Sequence, residues 1–205
     1  MQRTVNVRHT TLRTTFVLGL LALVSASGCA PAVIGAGATV GVAAAQERSV
    51  GNALDDATIQ LQINQMMLEA DRRLFADVSV EVVEGRVLLT GAVPNPEHRV
   101  EAVRIAWQVN GVSEVLNEIQ IAERGGIGGF LSDVRISGQL RFRMLSDRQI
   151  NDINYSIESV NGVIYLMGIA RDQTELDTVI NYARSISGVT QVVNHVRLRD
   201  DPRRG

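Results

Sequence analysis

The sequence predicts an α+β protein made of two tandem copies of one helix–strand–strand–helix–strand unit. Two stretches carry this prediction: 84–91 (EGRVLLTG) and 161–168 (NGVIYLMG) each place a turn-forming pair before an apolar run that a glycine closes. They lie 77 positions apart, and the same offset relates further pairs without an insertion: Asp56 and Asp133, Ile59 and Ile136, Met67 and Met144, Gly111 and Gly188, Asn117 and Asn194. The chain therefore uses one small domain twice.

The elements of the first copy follow from the spacing of its apolar residues. Asp55 and Asp56 precede isoleucines and a methionine spaced four apart, which predicts a capped amphipathic helix. Alternating valines at 78–82, the Glu84-Gly85 turn and the run 87–89 predict a β-hairpin. The segment 96–110 predicts a second helix that ends at Gly111, and 112–121 a third strand.

A three-stranded mixed sheet follows from this order in each copy. The hairpin strands are antiparallel, and the helix between the second and third strands makes that pair parallel with a right-handed crossover. Both helices then cover one face of the sheet. The other face is left for solvent, the second copy or a partner.

The second copy repeats this order behind a glycine-rich segment. Residues 124–129 (RGGIGG) contain four glycines and predict a linker over 123–130. The first domain then covers 54–122 and the second 131–199, with a type I′ turn at Asn161-Gly162 and a second helix over 172–187. The charged tail, 200–205, is expected to be loose.

The start of the chain is typical of a secreted, lipid-anchored protein. Three arginines precede the apolar segment 16–24, which is too short to span a bilayer, and small residues lead to Cys29, the one cysteine. The stretch before Cys29 resembles a bacterial lipobox, although Ala26 stands where Leu is usual. We expect a signal peptide over 1–28, acyl chains on Cys29 and a tether over 29–53, although a simple secretory signal also fits. Ala30, which is not Asp, favours the outer membrane, facing the periplasm.

Composition and charge exclude some classes of partner. The chain of 205 residues has a formal net charge of −2, and all 20 of its basic residues are Arg. Nothing in this balance indicates nucleic-acid binding. Residues 29–130 hold 7 Arg and 13 acidic residues, a net of −6, whereas residues 131–205 hold 10 Arg and 9 acidic residues, a net of +1. The second half is the part that can approach an anionic surface.

No catalytic or metal-binding pattern is present. His98 and His195 have no Cys or second His at ligand spacing, and no phosphate-binding loop or nucleophile elbow occurs. We therefore expect no enzyme activity, no cofactor, no metal and no small-molecule substrate.

The repeated glycines and the valine and asparagine that follow them identify a family. The pattern of Gly162, Leu166, Gly168, Gly188-Val189 and Asn194, matched 77 positions earlier, resembles the BON domain of bacterial envelope proteins. Two such domains behind a lipobox resemble an outer-membrane lipoprotein. The resemblance implies a non-enzymatic protein that binds anionic phospholipid through its second domain and supports outer-membrane integrity and cell division.

The first helix of the second domain carries the residues expected to touch lipid. One face holds the core residues Ile136, Leu140 and Met144. The predicted lipid contacts are the apolar residues of the opposite face, the arginines on its flanks and the Phe at its start: Phe130, Leu131, Val134, Arg135, Arg141, Phe142 and Leu145. Packing of this face on the first domain or on another copy remains an alternative. The corresponding alternative function is a periplasmic adaptor that docks onto another envelope protein.

Overall fold

A computed structural model describes residues 50–123 and 125–204 of the chain. The predicted signal peptide, Cys29 and most of the predicted tether lie outside these residues. Within the described part, no helix is long and apolar enough to cross a membrane.

The first copy contains the predicted elements and one short extra helix. They are α1 (Val50–Ala70), α2 (Arg72–Asp77), β1 (Val78–Val83), β2 (Arg86–Val93), α3 (Pro96–Gln108), β3 (Glu114–Asn117) and β4 (Gln120–Ile121). The predicted third strand is split, and both of its parts pair with β2. The extra helix α2 is capped by Asp71, whose side chain accepts a hydrogen bond from the Arg73 backbone N–H. Its one buried residue, Leu74, gives too little pattern for a prediction.

The second copy has the same order of elements. They are α4 (Gly126–Ser146), a 3₁₀ turn (Asp152–Asn154), β5 (Tyr155–Val160), β6 (Val163–Ala170), α5 (Gln173–Arg184) and β7 (Gln191–Leu198). Asp172 caps α5 by accepting a hydrogen bond from the Glu175 N–H. The α+β class with two mixed sheets is confirmed.

The sheet connections are those predicted from the order of elements. In each copy the hairpin strands are antiparallel and the central strand pairs in parallel with the last one. Both hairpin turns have positive φ at their two central residues, with values of 54° and 70° for Glu84 and Gly85 and of 51° and 78° for Asn161 and Gly162. This is the backbone of a type I′ turn, which explains the glycine at the second position.

Each domain has its own core between its helices and one face of its sheet. In the first domain Ile59, Ile63 and Met67 of α1 pack on β1, β2 and α3. In the second, Ile136, Leu140 and Met144 of α4 do the same on β5, β6 and α5. All the buried apolar residues that the structure describes fall between Ile59 and Val196.

The second face of each sheet packs on the other domain. This interface buries Val83, Leu88, Ala92, Val160, Tyr165, Met167 and Ile169. The order of layers is therefore helices, sheet, sheet, helices. The two helix layers lie on opposite outer sides of the molecule.

Two helices begin earlier in the chain than the sequence predicted. Helix α1 begins at Val50, so the predicted tether ends earlier and Asp55 and Asp56 lie inside the helix. Helix α4 begins at Gly126, so most of the predicted linker is helical. Gly126 has a φ of 61°, a left-handed backbone that favours glycine, whereas a Cβ atom built at Gly128 would meet nothing within 4 Å.

The tail is also held more firmly than predicted. The Arg204 guanidinium donates hydrogen bonds to the Glu84 carboxylate of the first domain, with Nη2 and Oε1 2.8 Å apart. Both side chains are largely buried, at 13% and 16% exposed. The charged tail therefore ties the end of the second domain to the hairpin turn of the first.

Candidate lipid-contact site

Helix α4 has one buried and one exposed apolar face. Its apolar residues outside the core are more than half exposed: Phe130 56%, Leu131 59%, Val134 52%, Phe142 72% and Leu145 63%. Exposed side chains of this size, repeating along one helix face, form a continuous apolar strip. We call the strip formed by Leu131, Val134, Gly138, Phe142 and Leu145 the α4 ridge.

The three arginines of α4 differ in whether their side chains are held by hydrogen bonds. Arg135 Nη2 donates a hydrogen bond of 2.9 Å to the carbonyl of Ser187, just after α5. Arg143 also reaches this region, where it donates to the carbonyl of Tyr182 and to the hydroxyl of Ser185. Arg141 is exposed and makes no hydrogen bond or ion pair with the part of the chain that the structure describes. Arg135 and Arg141 edge the ridge, whereas Arg143 joins the two helices of the domain.

The predicted contact residues do not all share one environment. Phe130 and Val134 border a small recess together with Ser79 of the first domain and Gly125. Leu131, Phe142 and Leu145 face solvent and do not pack on the first domain. The predicted apolar contacts therefore fall into two groups. Leu131, Phe142 and Leu145 face solvent, and Phe130 and Val134 lie next to the junction of the domains.

Ile127 belongs to the same exposed surface and was not predicted. It is 82% exposed in the first turn of α4. The sequence signal was present, because Ile127 and Leu131 are four residues apart, but the surrounding glycines indicated a linker.

The position of α4 against its sheet is set by a carboxylate. Asp133 accepts hydrogen bonds from the backbone N–H groups of Asn161 and Gly162, at 2.8 and 2.9 Å. Asp56 of α1 does the same for Glu84 and Gly85, at 2.8 Å each. These aspartates, 77 positions apart, therefore hold the hairpin turns and do not cap the helix starts. The repeat shows that Asp56 and Asp133 are equivalent. The neighbouring sequence does not show that each of them binds a turn 28 residues further along the chain.

The equivalent face of α1 differs in charge. Its leucines are also exposed, Leu54 at 61%, Leu61 at 68% and Leu68 at 46%. Helix α1 contains three acidic residues and no basic one, whereas α4 contains three arginines and one aspartate. An anionic surface would therefore attract α4 and repel α1.

The described residues contain no group of three or more His, Cys, Asp or Glu side chains that could hold a metal ion. His195 Nε2 instead lies 2.9 Å from Glu118 Oε1 at the junction of the domains. Glu114 accepts hydrogen bonds from Arg86 and Arg197 nearby. The hydrogen bond from Arg86, followed by the positive charges of Arg86 and Arg197, holds the pKa of Glu114 below its ordinary value.

Comparison with known families matches both copies to one model. The model of the BON domain matches residues 55–123 and 132–200. The chain belongs to the BON-domain family. Its two BON domains correspond to the two αββαβ units, with the α4 ridge at the start of the second.

Several known proteins are similar to this chain over most of their own length. An uncharacterized protein of Anaplasma centrale is 43% identical over 71% of this chain and 96% of its own. The outer membrane lipoprotein DolP of Haemophilus influenzae is 31% identical over 84% and 90%, and the osmotically-inducible protein Y of Escherichia coli is 26% identical over 73% and 76%. The similarity to DolP and to protein Y fits a protein with two BON domains.

Proposed function

We propose that this chain is a non-enzymatic outer-membrane lipoprotein, anchored through Cys29 and facing the periplasm, whose second BON domain binds anionic phospholipid through the α4 ridge. Its role would be to support the integrity of the outer membrane and cell division. The observation that carries the proposal is the exposed apolar ridge of α4 with Arg135 and Arg141 at its edges. The relationship to DolP, which is named an outer membrane lipoprotein, supports the location.

Lipid contact offers favourable contributions to the free energy of binding. Burial of an exposed Leu or Phe side chain contributes up to about 1.5–3 kcal/mol, and an Arg near an anionic surface adds about 1 kcal/mol. The ridge offers Leu131, Phe142 and Leu145 without any rearrangement, since all three already face solvent. Insertion therefore needs no opening of the core.

The anchor and the ridge would have different tasks. Several acyl chains on Cys29 would hold the protein at the membrane permanently, because two or more chains give stable attachment. The ridge then acts at high local concentration and sets the orientation and the lipid preference of the domain. Since the helix layers lie on opposite sides, contact through α4 would turn α1 and α3 towards the periplasm.

Flotation with lipid vesicles tests this function. A chain of residues 46–205 lacks the anchor and keeps every described core residue. We expect it to float with vesicles that contain phosphatidylglycerol and not with vesicles of phosphatidylcholine alone. The variant Leu131→Glu with Phe142→Glu should lower the partition coefficient at least about tenfold, because two inserted apolar groups are replaced by charges.

The first domain offers the matched control. Leu54→Glu with Gln65→Glu introduces glutamate at the equivalent positions of α1, 77 residues earlier. This control should float like the unchanged chain. Equal losses in both variants, or unchanged flotation of the α4 variant, would contradict lipid binding through the ridge.

A further inference from the structure

The exposed leucines of α1 form a second ridge that the proposed lipid contact does not use. Leu54, Leu61 and Leu68 are spaced seven residues apart and therefore lie along one line of the helix. Ala57 and Gln65 are exposed on the same face, and we call these five residues the α1 ridge. It lies on the outer side of the molecule opposite to the α4 ridge.

The charge of α1 argues against an anionic membrane as the partner of its ridge. The exposed charged residues of α1 are Asp55 and Glu69, and the helix contains no Arg or Lys. A lipid surface with negative charge would repel it. A basic amphipathic helix has the matching charge and shape.

Helix α4 of another copy has both properties. It has the same length as α1, 21 residues, an apolar ridge of its own, and Arg135 and Arg141 beside that ridge. The exposed acidic residues of α1, Asp55 and Glu69, and the exposed arginines of α4 thus give the two helices opposite charge.

The two ridges are also complementary in size at their midpoints. Leu61, the most exposed leucine of α1, lies midway between Leu54 and Leu68. The equivalent position of α4, midway between Leu131 and Leu145, is Gly138, and a Cβ atom built there would meet nothing within 4 Å. When the helix centres are aligned, in either direction, the Leu61 side chain enters the notch at Gly138.

We infer that the α1 ridge binds the α4 ridge of a second copy of this chain, with Leu61 seated at Gly138. Because the ridges lie on opposite sides of one molecule, the contact is head-to-tail and does not close into a symmetric dimer. Each end of such an assembly keeps one free ridge, so further copies can add and the copies form chains. The contact does not require lipid, and it competes with lipid because it covers the ridge that the proposed function gives to the membrane.

Sedimentation equilibrium of residues 46–205 without lipid tests the contact. We expect weak self-association that rises with concentration and falls with added salt, because charge pairs contribute. Leu61→Glu, at the centre of the contact, and Phe142→Glu, one helical turn from Gly138, should each lower the association constant by about 30-fold. A chain that stays monomeric at all concentrations would overturn the inference.

Mixing these two variants distinguishes the head-to-tail contact from symmetric ones. Leu61→Glu keeps an intact α4 ridge and Phe142→Glu an intact α1 ridge, so an equal mixture should form a heterodimer and nothing larger. If Phe142→Glu abolishes association and Leu61→Glu does not, the contact is α4 on α4 and the inference is wrong. If the mixture fails to associate, it is wrong as well.

The variant Gly138→Leu distinguishes specific packing of Leu61 at Gly138 from non-specific hydrophobic association. The substitution adds apolar surface to the ridge and favours the helix, so non-specific association and vesicle flotation would both stay the same or rise. A filled notch should instead lower the association constant at least about tenfold. Stronger self-association of Gly138→Leu would contradict the proposed seat for Leu61. Failure of flotation with intact self-association would contradict the lipid proposal alone.

Discussion

His195 and Glu118 occupy the same position in the two copies, 77 residues apart, and their side chains meet with Nε2 and Oε1 2.9 Å apart. Contact between equivalent positions is the mark of an approximate twofold axis. The apolar interface obeys the same relation, since it contains the equivalent pairs Val83 and Val160, Leu88 and Tyr165, and Leu116 and Val193. The two domains therefore pack on each other as the subunits of a symmetric dimer would.

This pair should contribute to the stability of the domain junction. In a double-mutant cycle of Glu118→Ala and His195→Ala, measured by urea unfolding at pH 6, we expect a coupling free energy of about 0.5–1 kcal/mol. The pair Glu101 and Arg104, which is more exposed on α3, should show a smaller coupling. A coupling of zero for the junction pair would show that its contact contributes nothing to folding.

The junction should weaken in acid through Glu114. Arg86 and Arg197 lower the pKa of this carboxyl in the folded state, so its contribution is complete above the ordinary pKa of 4.5. That contribution is lost as the pH falls through the lowered folded-state value. The unfolding free energy of Glu114→Gln should therefore depend less on pH below about pH 4.5 than that of the unchanged chain. Parallel pH profiles of the two proteins would exclude this role.

The turn-holding aspartates should be sensitive to substitution. Asp56→Ala removes the acceptor of two backbone N–H groups, and we expect a loss of about 1.5–3 kcal/mol in the unfolding free energy. Asp55→Ala changes the exposed neighbour and should stay within about 0.5 kcal/mol of the unchanged chain. Similar losses for both variants would mean that Asp56 stabilises the protein through its charge within the helix and not through its hydrogen bonds to the turn.

Two glycines of the second domain should respond to alanine with opposite signs. A Cβ at Gly168 would lie 2.0 Å from the carbonyl oxygen of Asn154, and its φ is 141°, so Gly168→Ala should cost about 2–4 kcal/mol. Gly138 lies in α4 with open space around it, and Gly138→Ala should add about 0.5–1 kcal/mol. Thermal unfolding measures the change in stability of both variants. A Gly168→Ala protein as stable as the unchanged chain would show that the backbone at Asn154 can move away from the added Cβ.

Much of this fold was predictable because its signals are local. Alternating valines, the turn pairs before Arg86 and Val163 and the glycines after α3 and α5 each act within a few residues, and their repetition confirms the assignment. The two faces of α4 also follow from helical spacing alone. Burial of Ile136, Leu140 and Met144 agrees with that spacing.

Other features depend on contacts between distant residues. The glycines of 124–129 indicated a linker, but α4 extends back to Gly126. Arg204 is held by Glu84, 120 residues away, so the composition of the tail could not show that it is bound. The offset of 77 likewise shows that positions are equivalent but not that Glu118 and His195 touch.

We propose that the second domain meets the membrane through α4 and that the first domain does not. Fluorescence of a single tryptophan tests it directly, with Phe142→Trp compared with Gln65→Trp, each combined with Trp107→Phe, in residues 46–205. With vesicles containing phosphatidylglycerol, we expect the emission at position 142 to shift to the blue and to be quenched by brominated acyl chains, while the emission at position 65 does not change. No shift at position 142, or equal shifts at both positions, would contradict it.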